Sequence, residues 1–230
     1  MIKVLHNWEE IGQATKFLER KGLPRHRTGE KCWDFYQLYE VIKDLGRSVA
    51  VLDMGCSGVH TLKFLNAMGF SDLVGLDLHI TLLDRMFQIV RMWRKRTWRR
   101  PFRLHQGDLT KTNFSSVSFN LITCISVIEH GVNHQAFLRE ASRLLRPEGV
   151  LFMTADYWEN PLDMSDASDP FGLPWRALCR QDVMNILKWS SQEGLQLYTP
   201  GDIPPCGDKC IVWNKKEYTF ISIAWVKSSG

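Results

Sequence analysis

The sequence lacks any apolar run near the ~20 residues that a helix needs to cross a bilayer. Residues 1–21 mix charged and apolar positions, so no secretory segment is visible. The formal net charge of the 230 residues is only +4, which does not by itself indicate a nucleic-acid partner. Internal repeats and low-complexity tracts are also missing. We therefore expect a globular cytoplasmic protein that buries a sizeable core and does not span a membrane.

Two common kinds of site also lack their signatures. No Gly-x-Ser-x-Gly elbow is present, which argues against a serine hydrolase. Six cysteines are scattered along the chain, and the pair Cys206 and Cys210 has no second ligand pair at similar spacing. We therefore predict no metal site. Cys56 falls in a turn and Cys124 in an apolar strand, a pattern typical of buried reduced thiols.

What the sequence does contain is an alternation of short apolar strands with amphipathic helices. It predicts an α/β fold, a doubly wound and mostly parallel seven-stranded sheet with helices on both faces. We expect residues 1–48 to form an N-terminal helical lid and residues 49–230 the main domain. Within this domain, residues 158–179 show neither helical nor strand periodicity, and the segment is longer than an ordinary connecting loop. It therefore predicts an acceptor-side loop insertion. The predicted strands are 49–53, 73–77, 102–108, 119–125, 150–154 and 218–226, and the predicted helices after the lid are 60–68, 82–93, 137–145 and 180–193.

Three of these strands end in an acid, namely Asp53, Asp77 and Asp108. Ligands on parallel sheets bind outside the carboxyl ends of the strands, where these acids lie. The turn after Asp53 has the spacing Gly55-x-x-Gly58, which fails the six-residue glycine pattern of a pyrophosphate site. An acid there would also repel a pyrophosphate. The pattern therefore favours a cationic, phosphate-free ligand, and S-adenosylmethionine fits that description.

Each part of this cofactor has a candidate partner. Asp77 can accept hydrogen bonds from the ribose hydroxyls and Asp108 from the adenine amine, while Leu78 and Leu109 can enclose the purine. The backbone of the turn would hold the amino-acid end. The complete set of predicted cofactor-binding residues is Asp53, Gly55, Cys56, Ser57, Gly58, Asp77, Leu78, Asp108, Leu109 and Ser126.

Five motifs in order resemble those of class I S-adenosylmethionine-dependent methyltransferases of the type 11-like kind. They are Asp53–Gly58, Gly75–Asp77, Gly107–Leu109, Ser126–His130 and Leu144–Leu151. The resemblance implies a Rossmann-like methyltransferase fold, S-adenosylmethionine as cofactor and methyl transfer as activity. The chain departs from the family pattern at Ser57, where the turn is one small residue shorter. A weaker resemblance, carried by residues 154–158 and 217–220, is to bacterial methyltransferases that modify sugars and surface glycans.

On the acceptor side, His130 is the first candidate for a general base, because a near-neutral pKa suits proton removal from a hydroxyl. The alternative for His130 is a role in shaping the cofactor pocket. Asp156 and Asp163 are the other catalytic candidates. The aromatic residues Tyr157, Trp158 and Trp175 are predicted to line the acceptor site, the alternative being that they only pack the cap.

We therefore predict methyl transfer to a small molecule or glycan, at a hydroxyl oxygen. Two alternatives stay open. Residues 91–100 are basic with interleaved tryptophans and could bind RNA, although the region after the fourth strand lacks the proline motif of amino-directed base methylases. The other alternative is a non-catalytic, S-adenosylmethionine-binding regulatory module. Residues 25–30 are expected either to cover the cofactor or to link two helices, and the sequence does not indicate an oligomeric state.

Overall fold

The computed structural model describes residues 1–80, 102–168 and 172–229. Within these ranges lies one mixed sheet of nine strands. The α/β class is confirmed, whereas the sheet has nine strands instead of seven and is mixed instead of mostly parallel. The strands are β1 (Ile2–Val4), β2 (Ala50–Met54), β3 (Asp72–Asp77), β4 (Arg103–Gln106), β5 (Phe119–Ile125), β6 (Leu145–Tyr157), β7 (Leu195–Leu197), β8 (Ile211–Trp213) and β9 (Lys216–Lys227).

The strands follow the order β1-β9-β6-β5-β2-β3-β4, with β7 and β8 also paired to β9. Strands β2 to β6 run parallel to one another, and every pair that involves β9 is antiparallel. The carboxyl ends of the five parallel strands therefore meet at one edge of the sheet, which is where a ligand is expected. We call it the carboxyl edge.

Helices cover both faces of the sheet, because each face is apolar and must be buried. Helices α1 (Trp8–Arg20), α2 (Cys32–Ile42) and α3 (His60–Ala67) bury side chains on one face. Helices α4 (His134–Leu144) and α5 (Arg180–Gln192) pack on the other. The helices predicted near 60–68, 137–145 and 180–193 are present. The predicted helix 82–93 and the basic segment 91–100 lie outside the described residues.

The N-terminal segment holds the two expected helices and one strand that the sequence does not predict. Strand β1 pairs with β9, with Ile2 opposite Ile223 and Val4 opposite Ile221. Three residues are too few to show the two-residue alternation that indicates a strand. Residues 1–48 are thus joined to the sheet itself, through an edge strand and through the packing of α2.

Two long strands build the acceptor side of the carboxyl edge. Strand β6 begins directly after α4 and extends to Tyr157, beyond the predicted end at 154. Strand β9 returns beside it, so that Asp156 lies opposite Phe220 and Thr154 opposite Ser222. Side chains alternate between the two faces of a strand, which places Thr154 and Asp156 on the face that α2 covers.

The predicted insertion 158–179 runs from the end of β6 and returns to it. The Trp158 amide donates to the Leu178 carbonyl at 2.9 Å, and the Arg176 amide donates to the Glu129 carbonyl at 2.9 Å. The returning stretch therefore lies between the end of β6 and the loop after β5. In the part of the chain that is described, no helix is long and apolar enough to span a membrane. The cytoplasmic location stays a prediction.

Candidate active site

The turn after β2 requires glycine at its first position. Gly55 has φ +81°, in the left-handed region that favours glycine. A Cβ atom there would lie 2.3 Å from Cγ2 of Val127, in the loop after β5. The turn therefore approaches the neighbouring loop so closely that any side chain would have to displace it.

Three backbone N–H groups of this turn already donate hydrogen bonds within the protein. Those of Gly55 and Cys56 donate to the Leu76 carbonyl, at 2.8 and 3.2 Å, and that of Ser57 donates to Oδ2 of Asp77 at 2.9 Å. The sequence predicts that these groups hold the amino-acid end of the cofactor, but the structure directs them to β3. The backbone N–H groups in the first turn of α3 lie at the same end, and no described side chain caps them.

Asp53 lies below the turn instead of open to it. Its side chain is 1% exposed, and its Oδ1 accepts a hydrogen bond of 2.7 Å from the Thr123 hydroxyl on β5. Burial raises the pKa of this carboxyl to about 7, against the hydrogen bond from Thr123. The sequence predicts that the carboxylate of Asp53 faces a cationic ligand at the turn. In the structure this carboxylate is buried beneath the turn and faces Thr123.

Asp77 is held in place from two sides at the end of β3. Its Oδ2 accepts from Ser57 N–H and its Oδ1 from His79 N–H, at 2.9 and 3.0 Å. Each carboxylate oxygen has a further lone pair, so a fixed carboxylate of this kind can still accept from a pair of hydroxyls. Leu78, the next residue, is 41% exposed at the same edge.

Asp108 follows the end of β4, beside Asp77. The Gly107 amide donates to the Asp77 carbonyl at 2.9 Å and so joins the two strand ends. Oδ1 of Asp108 accepts from the amide and the hydroxyl of Thr110, both at 2.8 Å. Leu109 is buried, at 7% exposed. The predicted ribose and adenine partners are thus adjacent, and a buried and an exposed leucine flank them, an arrangement that fits an adenosyl group.

The acceptor side contains three buried carboxylates, which we call the acid cluster: Asp34 on α2, Glu129 after β5, and Asp156 on β6. They are 0%, 3% and 5% exposed. The Asp156 amide lies 3.4 Å from Oε1 of Glu129, and the Trp175 indole N–H donates to Oδ2 of Asp156 at 2.9 Å. The acids on three separate elements therefore converge beneath the returning stretch of residues 174–178.

One lysine faces this cluster. Lys31 Nζ lies 4.0 Å from Oδ2 of Asp34 and donates to the hydroxyl of Ser126. Ser126 follows β5 with φ +51°. The predicted cofactor residue Ser126 is therefore the point where the carboxyl edge and the acid cluster meet.

Burial dominates the electrostatics of this region. It raises the pKa of Asp34 to about 7, partly opposed by the positive charge of Lys31. Burial, and then the negative charge of Asp156, raise the pKa of Glu129 well above its usual range. Burial lowers the pKa of His130, although Asp156 opposes that change. A neutral His130 imidazole can accept a proton near neutral pH.

The structure brings some of the predicted acceptor residues together and separates others. Asp156 and Trp175 are in direct contact, and Trp158 packs against the same apolar cluster as Trp175. Tyr157 points to the opposite face, where it belongs to the core beneath α4 and α5. Asp163 is exposed, and its Oδ1 caps the amide of Ser165 at 2.9 Å, so it lies apart from the acid cluster.

The sequence does not predict several residues of this site. Lys31, Asp34 and Tyr218 all contact or face the cluster, and the Tyr218 hydroxyl hydrogen-bonds Asp156. The sequence carries a signal for Asp34, which lies four residues before the apolar Leu38 and so on the same buried face of α2. A charged residue on the buried face of a helix is unusual and informative.

The fold and this edge resemble those of class I, S-adenosylmethionine-dependent methyltransferases. Residues 52–153 match the family model described as a methyltransferase domain. The crystal structure of geranyl diphosphate C-methyltransferase from Streptomyces coelicolor, in complex with Mg²⁺, geranyl diphosphate and S-adenosyl-L-homocysteine, superposes with a TM-score of 0.64. That likeness covers 95% of this chain and 97% of the other at 14% identity, and so concerns the fold.

Two curated proteins are similar in sequence over part of their length. A small RNA 2'-O-methyltransferase from Xenopus tropicalis is 33% identical over 107 residues, which are 42% of this chain and 28% of that protein. A malonyl-[acyl-carrier protein] O-methyltransferase from Legionella pneumophila is 27% identical over 105 residues, 45% of this chain and 35% of that protein. The chain thus matches about a third or less of the length of these relatives.

Proposed function

We propose that this protein transfers the methyl group of S-adenosylmethionine to a hydroxyl oxygen of a small molecule or glycan. The observation that carries the proposal is the half-buried His130 in the loop after β5, next in sequence to the buried Glu129; burial lowers the pKa of His130, and Asp156 opposes that change. A hydroxyl is a weak nucleophile and benefits from a neutral base within reach.

The cofactor would lie along the carboxyl edge. Asp77 would accept from the ribose hydroxyls, Asp108 would face the adenine, and the exposed Leu78 would pack on the purine. S-adenosylmethionine supplies a methyl group made electrophilic by its sulfonium. The protein has to position the acceptor oxygen in line with that methyl group and to keep water out.

In the proposed reaction the acceptor oxygen forms a bond to the methyl carbon while the carbon–sulfur bond breaks. His130 takes the hydroxyl proton, and S-adenosylhomocysteine leaves as a neutral thioether. Asp156 would stabilise the resulting imidazolium. Its own carboxylate is oriented by the indole of Trp175 and by the hydroxyl of Tyr218.

The role of the base is tested with His130→Ala and a matched variant, His105→Gln on β4. We expect His130→Ala to lose at least about a hundredfold in methyl transfer, the scale of general-base catalysis. Transfer from labelled S-adenosylmethionine is measured on a panel of sugars and small alcohols. Cofactor affinity from calorimetry should stay unchanged in both variants. Full turnover by His130→Ala would eliminate this residue as the base.

The cofactor assignment is tested separately with Asp77→Ala. Loss of two anchored acceptor oxygens should weaken S-adenosylmethionine binding at least about tenfold, or about 1.4 kcal/mol. Asp72→Ala is the control. Asp72 lies at the amino end of β3, away from Asp77, and forms an ion pair with Arg103 at the start of β4. Equal affinity of the two variants would refute the assignment of Asp77.

RNA is a second candidate acceptor, favoured by the similarity to the small RNA 2'-O-methyltransferase. It predicts an RNA affinity that falls steeply with salt, since phosphate contacts release counterions. The acid cluster argues against a polyanion close to His130. Cofactor binding without turnover on either kind of acceptor would instead support the non-catalytic regulatory module.

A further inference from the structure

We propose that the acid cluster is a subsite for a protonated amine of the acceptor, and that the Lys31 ammonium occupies this subsite until the acceptor replaces it. The inference rests on the proposed function and deepens it. It assigns the acceptor to amine-bearing hydroxyl compounds, such as amino alcohols and amino sugars. Acceptors with a carboxylate or phosphate at this position would be disfavoured.

The first support is an imbalance of buried charge. Asp34, Glu129 and Asp156 converge from three elements, and Lys31 is the cation that the structure places against them. Removing carboxylates from water is costly unless they are paired or protonated. A second cation, or the exchange of Lys31 for a better-placed one, would stabilise the ionised cluster.

The second support is a set of buried polar atoms that lack hydrogen-bond partners among the described residues. Oε2 of Glu129 and the hydroxyl of Ser222 belong to it, whereas the buried Asp34 has the Thr154 hydroxyl and the Lys31 ammonium as its neighbours. Thr154 and Ser222 are opposite each other on β6 and β9, on the face that carries Asp34. Buried polar atoms without partners are uncommon and costly. An ammonium offers three N–H donors to these acceptors and brings no acceptor of its own.

The third support is the position that Lys31 takes. Its Nζ donates to Ser126, lies 4.0 Å from a carboxylate oxygen of Asp34, and sits 4.6 Å from the centre of the Phe220 ring. Carboxylate and aromatic face together form a recognised kind of ammonium site. The Lys31 side chain is 21% exposed, whereas that of Asp34 is 0% exposed, so Lys31 is the member of the pair that reaches solvent.

The site implies a defined pH dependence. The ionisable groups around Asp34 and Glu129 are Lys31, His130, Asp156 and Tyr218, with half-buried Glu30 near Tyr218 and buried Cys124 beside Glu129. Burial keeps part of the cluster protonated at neutral pH, since the pKa of Asp34 is about 7. An ammonium binds the ionised form, so its affinity should increase as the pH rises through about 7 and should be accompanied by proton release.

The experiment uses ethanolamine as probe, with ethylene glycol and glycolate as the neutral and anionic probes of similar size. Binding is measured by ligand-observed NMR on the full chain saturated with S-adenosylhomocysteine, which occupies the cofactor's own ammonium site. We expect ethanolamine to bind at least about tenfold more tightly than either of the others. We also expect tighter binding at pH 8 than at pH 6. Equal binding of the three probes, or no binding of ethanolamine, overturns the proposal.

Two variants act in opposite directions. Asp34→Asn should weaken ethanolamine binding about tenfold or more, whereas Lys31→Met should strengthen it, because the competing ammonium is gone. The matched controls are Asp44→Asn and Lys188→Met, two separate substitutions of exposed residues that should leave ethanolamine binding unchanged. If the Lys31→Met variant binds ethanolamine no better than the wild type, the claim that the acceptor amine replaces Lys31 is wrong. Lys31→Gln repeats this test if Lys31→Met loses its far-ultraviolet circular dichroism.

Failure of this inference can be told apart from failure of the proposed function. If the wild type does not bind S-adenosylhomocysteine in calorimetry, the methyltransferase proposal itself is wrong. If it binds S-adenosylhomocysteine and methylates neutral sugars without any preference for amines, only the amine subsite is refuted.

Discussion

Gly55 shows how strongly a single residue controls the turn at the carboxyl edge. Gly55→Ala places a Cβ 2.3 Å from Val127 and forces a side chain into a left-handed backbone conformation. We expect a loss of about 2–4 kcal/mol in the free energy of unfolding, measured with urea. The added Val127→Ala should recover the part due to the clash but not the part due to the backbone.

Gly12 provides the contrast for this prediction. It lies inside α1, and a Cβ there would meet nothing within 4 Å. Gly12→Ala should therefore stabilise the protein by about 0.5–1 kcal/mol, the usual gain of alanine over glycine in a helix. If both substitutions had similar effects, the close approach of Gly55 to Val127 would be wrong.

At this scale the sequence predicts positions better than orientations. The strand pattern located Asp77 and Asp108 at adjacent strand ends, where they lie in the structure. It did not show that Asp53 turns inward to Thr123, because the direction of a side chain at a strand end depends on the neighbouring strand. The shortened turn likewise gave no sign that its amides donate to Leu76.

At the scale of elements, the start of α5 ties the helix to the returning stretch. Oδ2 of Asp182 accepts from the Cys179 amide at 2.8 Å, and its carboxylate pairs with Arg176 through two hydrogen bonds of 2.6 and 3.0 Å. Arg176 in turn donates its amide to the Glu129 carbonyl. The helix N-terminus thus supports the stretch that covers the acid cluster.

We expect Asp182→Asn to lower the free energy of unfolding by about 1–2 kcal/mol at neutral pH. Burial would raise the pKa of Asp182, but hydrogen bonds from Arg176 and Cys179 outweigh it and lower this pKa to about 2. A lowered folded-state pKa stabilises the protein above the unfolded value of 3.8 and loses that effect as the pH falls towards 2. The difference between the variant and the wild type in urea titrations should therefore shrink in acid. A difference that is constant from pH 7 to pH 2 would contradict this account.

The length of an element decides how well the sequence predicts it. Helices of 11–13 residues, such as α4 and α5, carry several turns of apolar spacing and were recognised. Strands β1, β7 and β8 have three residues each and were missed. The sequence does not predict the acid cluster as a whole for a different reason: it combines α2, the loop after β5 and β6, whose contact depends on tertiary packing and not on local pattern.

At the scale of the whole molecule, the two sides of the proposed site depend on different parts of one sheet. The cofactor side uses the ends of β2, β3 and β4, while the acceptor side uses β5, β6 and β9 together with α2. Local motifs describe the first side well, because its residues follow strands directly in sequence. The second side needs the antiparallel return of β9 and the N-terminal segment, which no motif describes.

The described parts should unfold as one cooperative unit, because β1 pairs with β9 and α2 packs on the same sheet that holds the carboxyl edge. Urea unfolding followed by tryptophan fluorescence and by far-ultraviolet circular dichroism should give coincident transitions. S-adenosylhomocysteine at a hundred times its dissociation constant should shift both by about 2.7 kcal/mol, since it binds the folded state. An independent N-terminal lid would instead give an early transition that the ligand leaves in place. Val4→Asp, which puts a charge into the buried edge strand, should lower both transitions together, and an effect on the early signal alone would favour the separate lid.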